Sequence, residues 1–236
     1  MLLENGRIVS IRPERRPATK AQPVKDYGDS VIMPGLIDSH VRMDEPGHSD
    51  WEGFEYATAA AAAGGITTVI DLPLDCNPVT TNLDALKSKI RAADGNLTVN
   101  CGFWGGIIPT NQEQIEPMAK AGVFGFCLFL SDSGNADFPT IPVSDLERIA
   151  PRLAATNLPI GFHAVLPSGK SGKLKKPKDE YSYKAFLESL PDSFETEAAK
   201  EIIKLCTKHA LDAHLLHVSS SEVLPMIEQA RKKVSP

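Results

Sequence analysis

Apolar and polar positions recur along this chain in one order: a short apolar run, a polar loop, then a stretch with helical periodicity. The first unit opens at Val31-Ile32-Met33, is punctuated by Pro34-Gly35 and resumes at Leu36-Ile37. It ends in Asp38, His40 and the acidic turn Asp44-Glu45-Pro46-Gly47. This pattern predicts a buried strand that delivers polar side chains at its C-terminal end. The alanine-rich stretch 51–64 predicts a helix stopped by Gly64-Gly65. Further strands are predicted at 66–73, 97–107, 122–130, 158–165 and 213–220. Helices are predicted at 82–93, 111–121, 144–156, 181–190, 195–209 and 222–233, with Asn82 placed to cap the first of these. Residues 1–30 read differently: Glu4-Asn5-Gly6-Arg7 is a hairpin signal, 7–11 a short strand, and 12–22 a polar, Pro-containing loop.

Six strand–helix units in alternation predict a parallel sheet with covering helices. A (β/α)8 TIM barrel has eight such units. The expected architecture is therefore an incomplete α/β barrel over 31–236, preceded by a small N-terminal β segment over 1–30. Its last strand would be left as an open edge, and open edges invite association. The chain is then a fragment, or it pairs that edge with something else, a second copy included.

Composition narrows the partners. With 25 basic and 30 acidic side chains the net charge is -5, which gives no electrostatic case for nucleic acid or anionic membrane. The five lysines within 170–178 read as a solvated loop. No apolar run approaches the roughly 20 residues of a membrane span. Glu4-Asn5-Gly6 follows Met1-Leu2-Leu3 too soon for a signal-peptide core. Cys76, Cys101, Cys127 and Cys206 form no Cys-x-x-Cys pair and read as free thiols of a reducing compartment, so a cytoplasmic location is expected.

The candidate chemistry is histidine at strand ends. His40, His163 and His217 lie near the C-terminal ends of the first, fifth and sixth predicted barrel strands, and those ends converge on one mouth in a barrel. One histidine on an apolar strand is ordinarily a hydrogen-bonded core residue; three at equivalent ends favour a site. His48 falls in a loop, and His209 closes a helix where a cation suits the dipole. His214 and His217 are three apart, so on a strand they face opposite sides, and His217 is taken as the inward one. Residue 42 is two from His40 and shares its side. A His-x-His pair there would suit a metal ion, but this chain has Arg42.

These features resemble a known group. Met33-Pro34-Gly35-Leu36-Ile37-Asp38-Ser39-His40-Val41, Glu45-Pro46-Gly47, Asp50-Trp51-Glu52-Gly53-Phe54, Asp71-Leu72-Pro73-Leu74, Phe103-Trp104-Gly105-Gly106 and His217-Val218-Ser219-Ser220 resemble the allantoinases, cyclic amidohydrolases of the amidohydrolase superfamily. The similarity covers nearly the whole chain. It implies a barrel hydrolase with two divalent ions, commonly zinc, that opens the ring amide of allantoin to allantoate in purine catabolism. There the ions are held by a His-x-His pair, two later histidines, a bridging carboxylated lysine and a late aspartate that serves as general acid/base. Position by position, His40, His163 and His217 match ligating histidines. Arg42 stands where the second histidine of the pair belongs, Cys127 where the bridging lysine belongs, and Val165 where a glutamate often follows. The aspartate belongs to a strand that this sequence does not contain, so no catalytic residue is assigned. The expected activity is accordingly weak or absent. A catalytically dead paralogue or fragment acting through association, and a single-ion site built from His40, Cys127, His163 and His217, remain alternatives. Cys127 otherwise reads as a small buried hydrophobe. Asp38 either orients the histidine or makes a loop hydrogen bond. Asp44, Asp71 and Asp75 fall near the mouth, where turn or cap roles are expected.

Overall fold

The computed structural model describes residues 1–12, 23–167, 177–179 and 181–234. The expected loops at 12–22 and 170–178 lie outside the described residues, apart from their ends. The chain divides into two units, Met1–Pro34 and Gly35–Pro236. The first contains an antiparallel hairpin of β1 (Leu2–Glu4) and β2 (Arg7–Ser10), with Glu4 opposite Arg7. Asn5 and Gly6 both have positive φ, 51° and 73°, which matches the right-handed twist of the strands they join.

The second unit is a curled parallel sheet of six strands in sequence order: β3 (Leu36–Val41), β4 (Ile66–Asp71), β5 (Asn100–Gly106), β6 (Gly125–Phe129), β7 (Ile160–His163) and β8 (Ala213–Leu216). The connections carry α1 (Gly53–Ala63), α2 (Leu83–Ala93), α3 (Ile115–Lys120), α4 (Val143–Thr156), then α5 (Tyr183–Ser189) and α6 (Ser193–His209) together. Helix α7 (Val223–Val234) follows β8. This is a partial (β/α)8 barrel. Asn82 caps α2 as expected, its Oδ1 accepting the Ala85 N–H at 2.8 Å. The segment 111–121 breaks into a 3-10 turn, Gln112–Gln114, followed by α3. Pro117, which has no N–H to donate, falls in the first turn of α3, where no intrahelical donor is needed.

Period-two alternation sorts the strand side chains into two layers. On β6, Phe126 and Leu128 pack outward against the helices with Ile149, Leu153 and Ile202, while Cys127 and Phe129 pack inward with Ile70, Leu72, Trp104 and Leu216. Gly125 makes room for one of these. A Cβ there would lie 2.3 Å from the Trp104 ring and 2.6 Å from the Pro159 carbonyl oxygen. The Trp104 indole N–H donates to the Ser39 carbonyl at 2.9 Å and so ties the inner face to β3.

The first strand departs from its expectation. Val31, Ile32 and Met33 are exposed and outside any strand, and β3 begins only after Pro34-Gly35. Within β3, Leu36 and Ile37 are 49% and 69% exposed. The reason is pairing: among the described residues β3 and β8 each have a neighbour on one side only. Apolar sequence alone could not distinguish such an edge from a central strand.

Candidate active site

The three histidines meet. His217 Nδ1 lies 2.9 Å from His163 Nδ1, and His217 Nε2 lies 3.0 Å from His40 Nε2. Each arrives from a different strand end, with Phe129 beneath and its ring centroid 4.7 Å from that of His163. His217 engages its two neighbours through two different ring nitrogens. In this arrangement the three rings form a chain of contacts running through His217. No group of three or more His, Cys, Asp or Glu side chains among the described residues is arranged to hold a metal ion. Burial, then the neighbouring His217, pushes His163 down to about 4. Burial followed by Arg42 lowers His40, and burial followed by His40 lowers His217. At neutral pH all three are uncharged imidazoles, each with one donor and one acceptor nitrogen.

His217 reaches this position off the strand. It lies one residue past β8 with φ of 59°, a left-handed conformation unusual for a residue with a side chain. Strand parity does not extend to it, because it lies beyond the strand. His214 on β8 is close enough to influence His40, while the turn swings His217 back to the mouth. Glu195, at the start of α6, holds that turn. Its carboxylate accepts the N–H groups of Ser219 and Ser220, each at 3.0 Å, and the Ser219 hydroxyl. Burial acts to raise the Glu195 carboxyl, but these hydrogen bonds outweigh it and hold the group below its ordinary range.

Arg42 lies on the His40 side of β3 and pairs with Asp75, Nη1 to Oδ2 at 2.9 Å. Asp75 and Asp44 have φ of 63° and 59°, so the mouth gathers three left-handed non-glycine residues. Asp44 shapes a turn, its carbonyl accepting the His48 N–H at 3.0 Å. Asp38 accepts the backbone N–H of His40 at 3.0 Å, which is a loop bond and not contact with the ring. Cys127 sits below the mouth, 1% exposed, and burial pushes its thiol up to about 12. His48 stacks on Trp51 with ring centroids 4.5 Å apart, and His209 Nε2 lies 2.8 Å from Glu147 Oε2.

Beneath β3 lies a buried ion pair. Lys89 of α2 donates to Asp71 Oδ2 and to the Leu72 carbonyl at 3.0 Å, and the side chains of Lys89 and Asp71 are 1% exposed. Asp71 Oδ1 accepts the Met43 N–H at 2.9 Å and fixes the chain where it leaves β3, beside Arg42. Burial disfavours the Lys89 ammonium, but the adjoining carboxylate outweighs it and raises the amine above its ordinary value.

An amidohydrolase-family sequence pattern matches residues 31–234, which takes in the whole histidine-bearing sheet. The chain belongs to the amidohydrolase family. This amidohydrolase is 39% identical to the mitochondrial allantoinase of Aquarana catesbeiana over 236 residues, 100% of this chain and 48% of that protein. It is 38% identical to the allantoinase of Saccharomyces cerevisiae, over 99% of this chain and 53% of that one. Among solved structures, the L-hydantoinase (dihydropyrimidinase) of Arthrobacter aurescens superposes with a TM-score of 0.77 at 30% identity, covering 85% of this chain and 45% of that one. The chain thus spans about half the length of the curated relatives it matches.

Three site features of this amidohydrolase escaped sequence reading: the Lys89–Asp71 pair, the Glu195 anchor and the Asp75 partner of Arg42. Only the first left a trace. Lys89 falls on the helical stripe of Leu86 and Ala93, the buried side of α2. Glu195 and Asp75 sit at turns whose partners are set by long-range packing.

Proposed function

We propose that this chain is by descent an allantoinase-type hydrolase of cyclic amides, directed at allantoin-like ureides of purine breakdown, and that its own mouth is impaired for that hydrolysis. The observation that carries the reading is the meeting of His40, His163 and His217 at one mouth. The two substituted positions support the impairment. A guanidinium cannot ligate a cation and repels it, so Arg42 is no substitute for a ligating histidine. Zinc takes thiolate, and burial pushes the Cys127 thiol up to about 12, so an ion there would have to displace its proton. The residues present do not fit a two-ion centre. At most one ion, zinc by resemblance, would sit on His40, His163, His217 and Cys127. His217 would then release one neighbour and Cys127 its proton.

The test is elemental analysis of purified protein alongside an allantoin assay. We expect no more than one ion per chain and no allantoin consumption above the buffer blank. One ion that disappears in Cys127→Ser would support the mixed site. Two ions with allantoate formation would overturn the impaired reading.

The one-sided pairing of β3 and β8 favours a second reading, in which the chain acts by associating with another polypeptide through those edges. The free cysteines support a reducing compartment, for which we propose the cytoplasm.

A further inference from the structure

Arg42 does more than displace a metal ligand. Its side chain is 46% exposed, and its one ion-pair contact among the described residues uses Nη1. Asp75 Oδ2 faces Arg42 and is shielded from water, while no described residue donates to the other oxygen, Oδ1. The side chain nevertheless keeps 26% of its surface. The 2.9 Å contact engages Nη1 and Oδ2 and leaves the other guanidinium nitrogens and Oδ1 for a further partner. Here an N–H donor fork and a carboxylate acceptor stand side by side next to the three histidines. The ring amide of a cyclic ureide presents the complementary edge, a C=O beside an N–H.

We propose that Arg42 and Asp75 form a metal-independent recognition clamp for the N–H/C=O edge of a neutral cyclic ureide, the guanidinium donating to the carbonyl and the carboxylate accepting from the N–H. The assignment rests on the cyclic-amide reading above for its ligand class. Charge selects the neutral ring over its opened carboxylate. Asp75 already balances Arg42, Asp44 lies within electrostatic reach of both, and Asp38 adjoins His40, so a further anion is repelled.

The experiment is titration of EDTA-treated protein with hydantoin, and separately with N-carbamoylglycine, followed by ligand-detected NMR. We expect hydantoin to bind without metal and more tightly than N-carbamoylglycine. Arg42→Ala and Arg42→Lys should each weaken it at least about tenfold, because a lysine keeps the charge but lacks the planar fork. Asp75→Asn supplies an independent variant, with the same loss expected, and circular dichroism confirms that each variant is folded. Absence of hydantoin binding in EDTA, tighter binding of the carboxylate, or full affinity in Arg42→Ala would overturn the clamp. Hydantoin binding without allantoin turnover leaves the clamp standing whatever becomes of the hydrolase reading. Turnover with binding indifferent to Arg42 sinks the clamp alone.

Discussion

At the residue scale, the decisive feature is how each charge near the mouth is compensated. Lys89 and Asp71 are both out of water, and each is tolerated because the other is there. Lys89→Met should leave the Asp71 carboxylate buried without its countercharge and cost about 3–5 kcal/mol of stability, read by urea denaturation. The double change Lys89→Met with Asp71→Asn should recover much of that loss, since no unpaired charge remains. Equal destabilisation of the single and double variants would show that packing, not charge, sets the cost. Arg42 is compensated differently. Its partner Asp75 is partly exposed and the pair is screened by solvent, so it adds little stability and leaves hydrogen-bonding capacity at the mouth.

At the scale of elements, the strands deliver the site and the turns after them aim it. β7 brings His163 to its last position, whereas His217 needs a left-handed residue beyond β8 and the Glu195 anchor from α6. β5 and β6 are held in register around Trp104, whose ring occupies the space above Gly125. Gly125→Ala forces a Cβ against both that ring and the Pro159 carbonyl. We expect a loss of about 1–3 kcal/mol and a changed Trp104 fluorescence maximum. An unchanged melting temperature would mean that the Trp104 ring moves aside at no cost. The sequence showed these elements well where their layer was complete. β6 is buried along its whole length, and its apolar run Phe126-Cys127-Leu128-Phe129 was legible as a strand. The extent of β3 was not, because the run Val31-Ile32-Met33 looks the same whether or not a neighbouring strand exists to pair with it.

At the scale of the molecule, six parallel strands curl into part of a barrel whose two outer strands each keep one unpaired edge among the described residues. An exposed edge bearing apolar side chains is a template for another strand. Leu36 and Ile37 are such side chains on β3, and a cavity of about 560 Å³ lies behind β8 between α6 and α7. The association reading predicts oligomers at micromolar concentration by light scattering, and a lower mean mass for Ile37→Lys, whose charge blunts the edge. A monodisperse monomer for the unaltered chain would count against it.

The sequence by itself determined the alternation of strands and helices, the placement of three histidines at strand ends and the presence of an arginine at 42 and a cysteine at 127. Each of these is local: periodicity, caps and residue identity are written within a few positions. Only the tertiary structure decided that His217 bridges His40 and His163 through two different nitrogens, and that Asp75 faces Arg42. It alone placed Lys89 against Asp71 and set Glu195 under the turn that aims His217. Those relations join residues far apart in the chain, and their geometry is set by how the sheet curls and how turns close against helices.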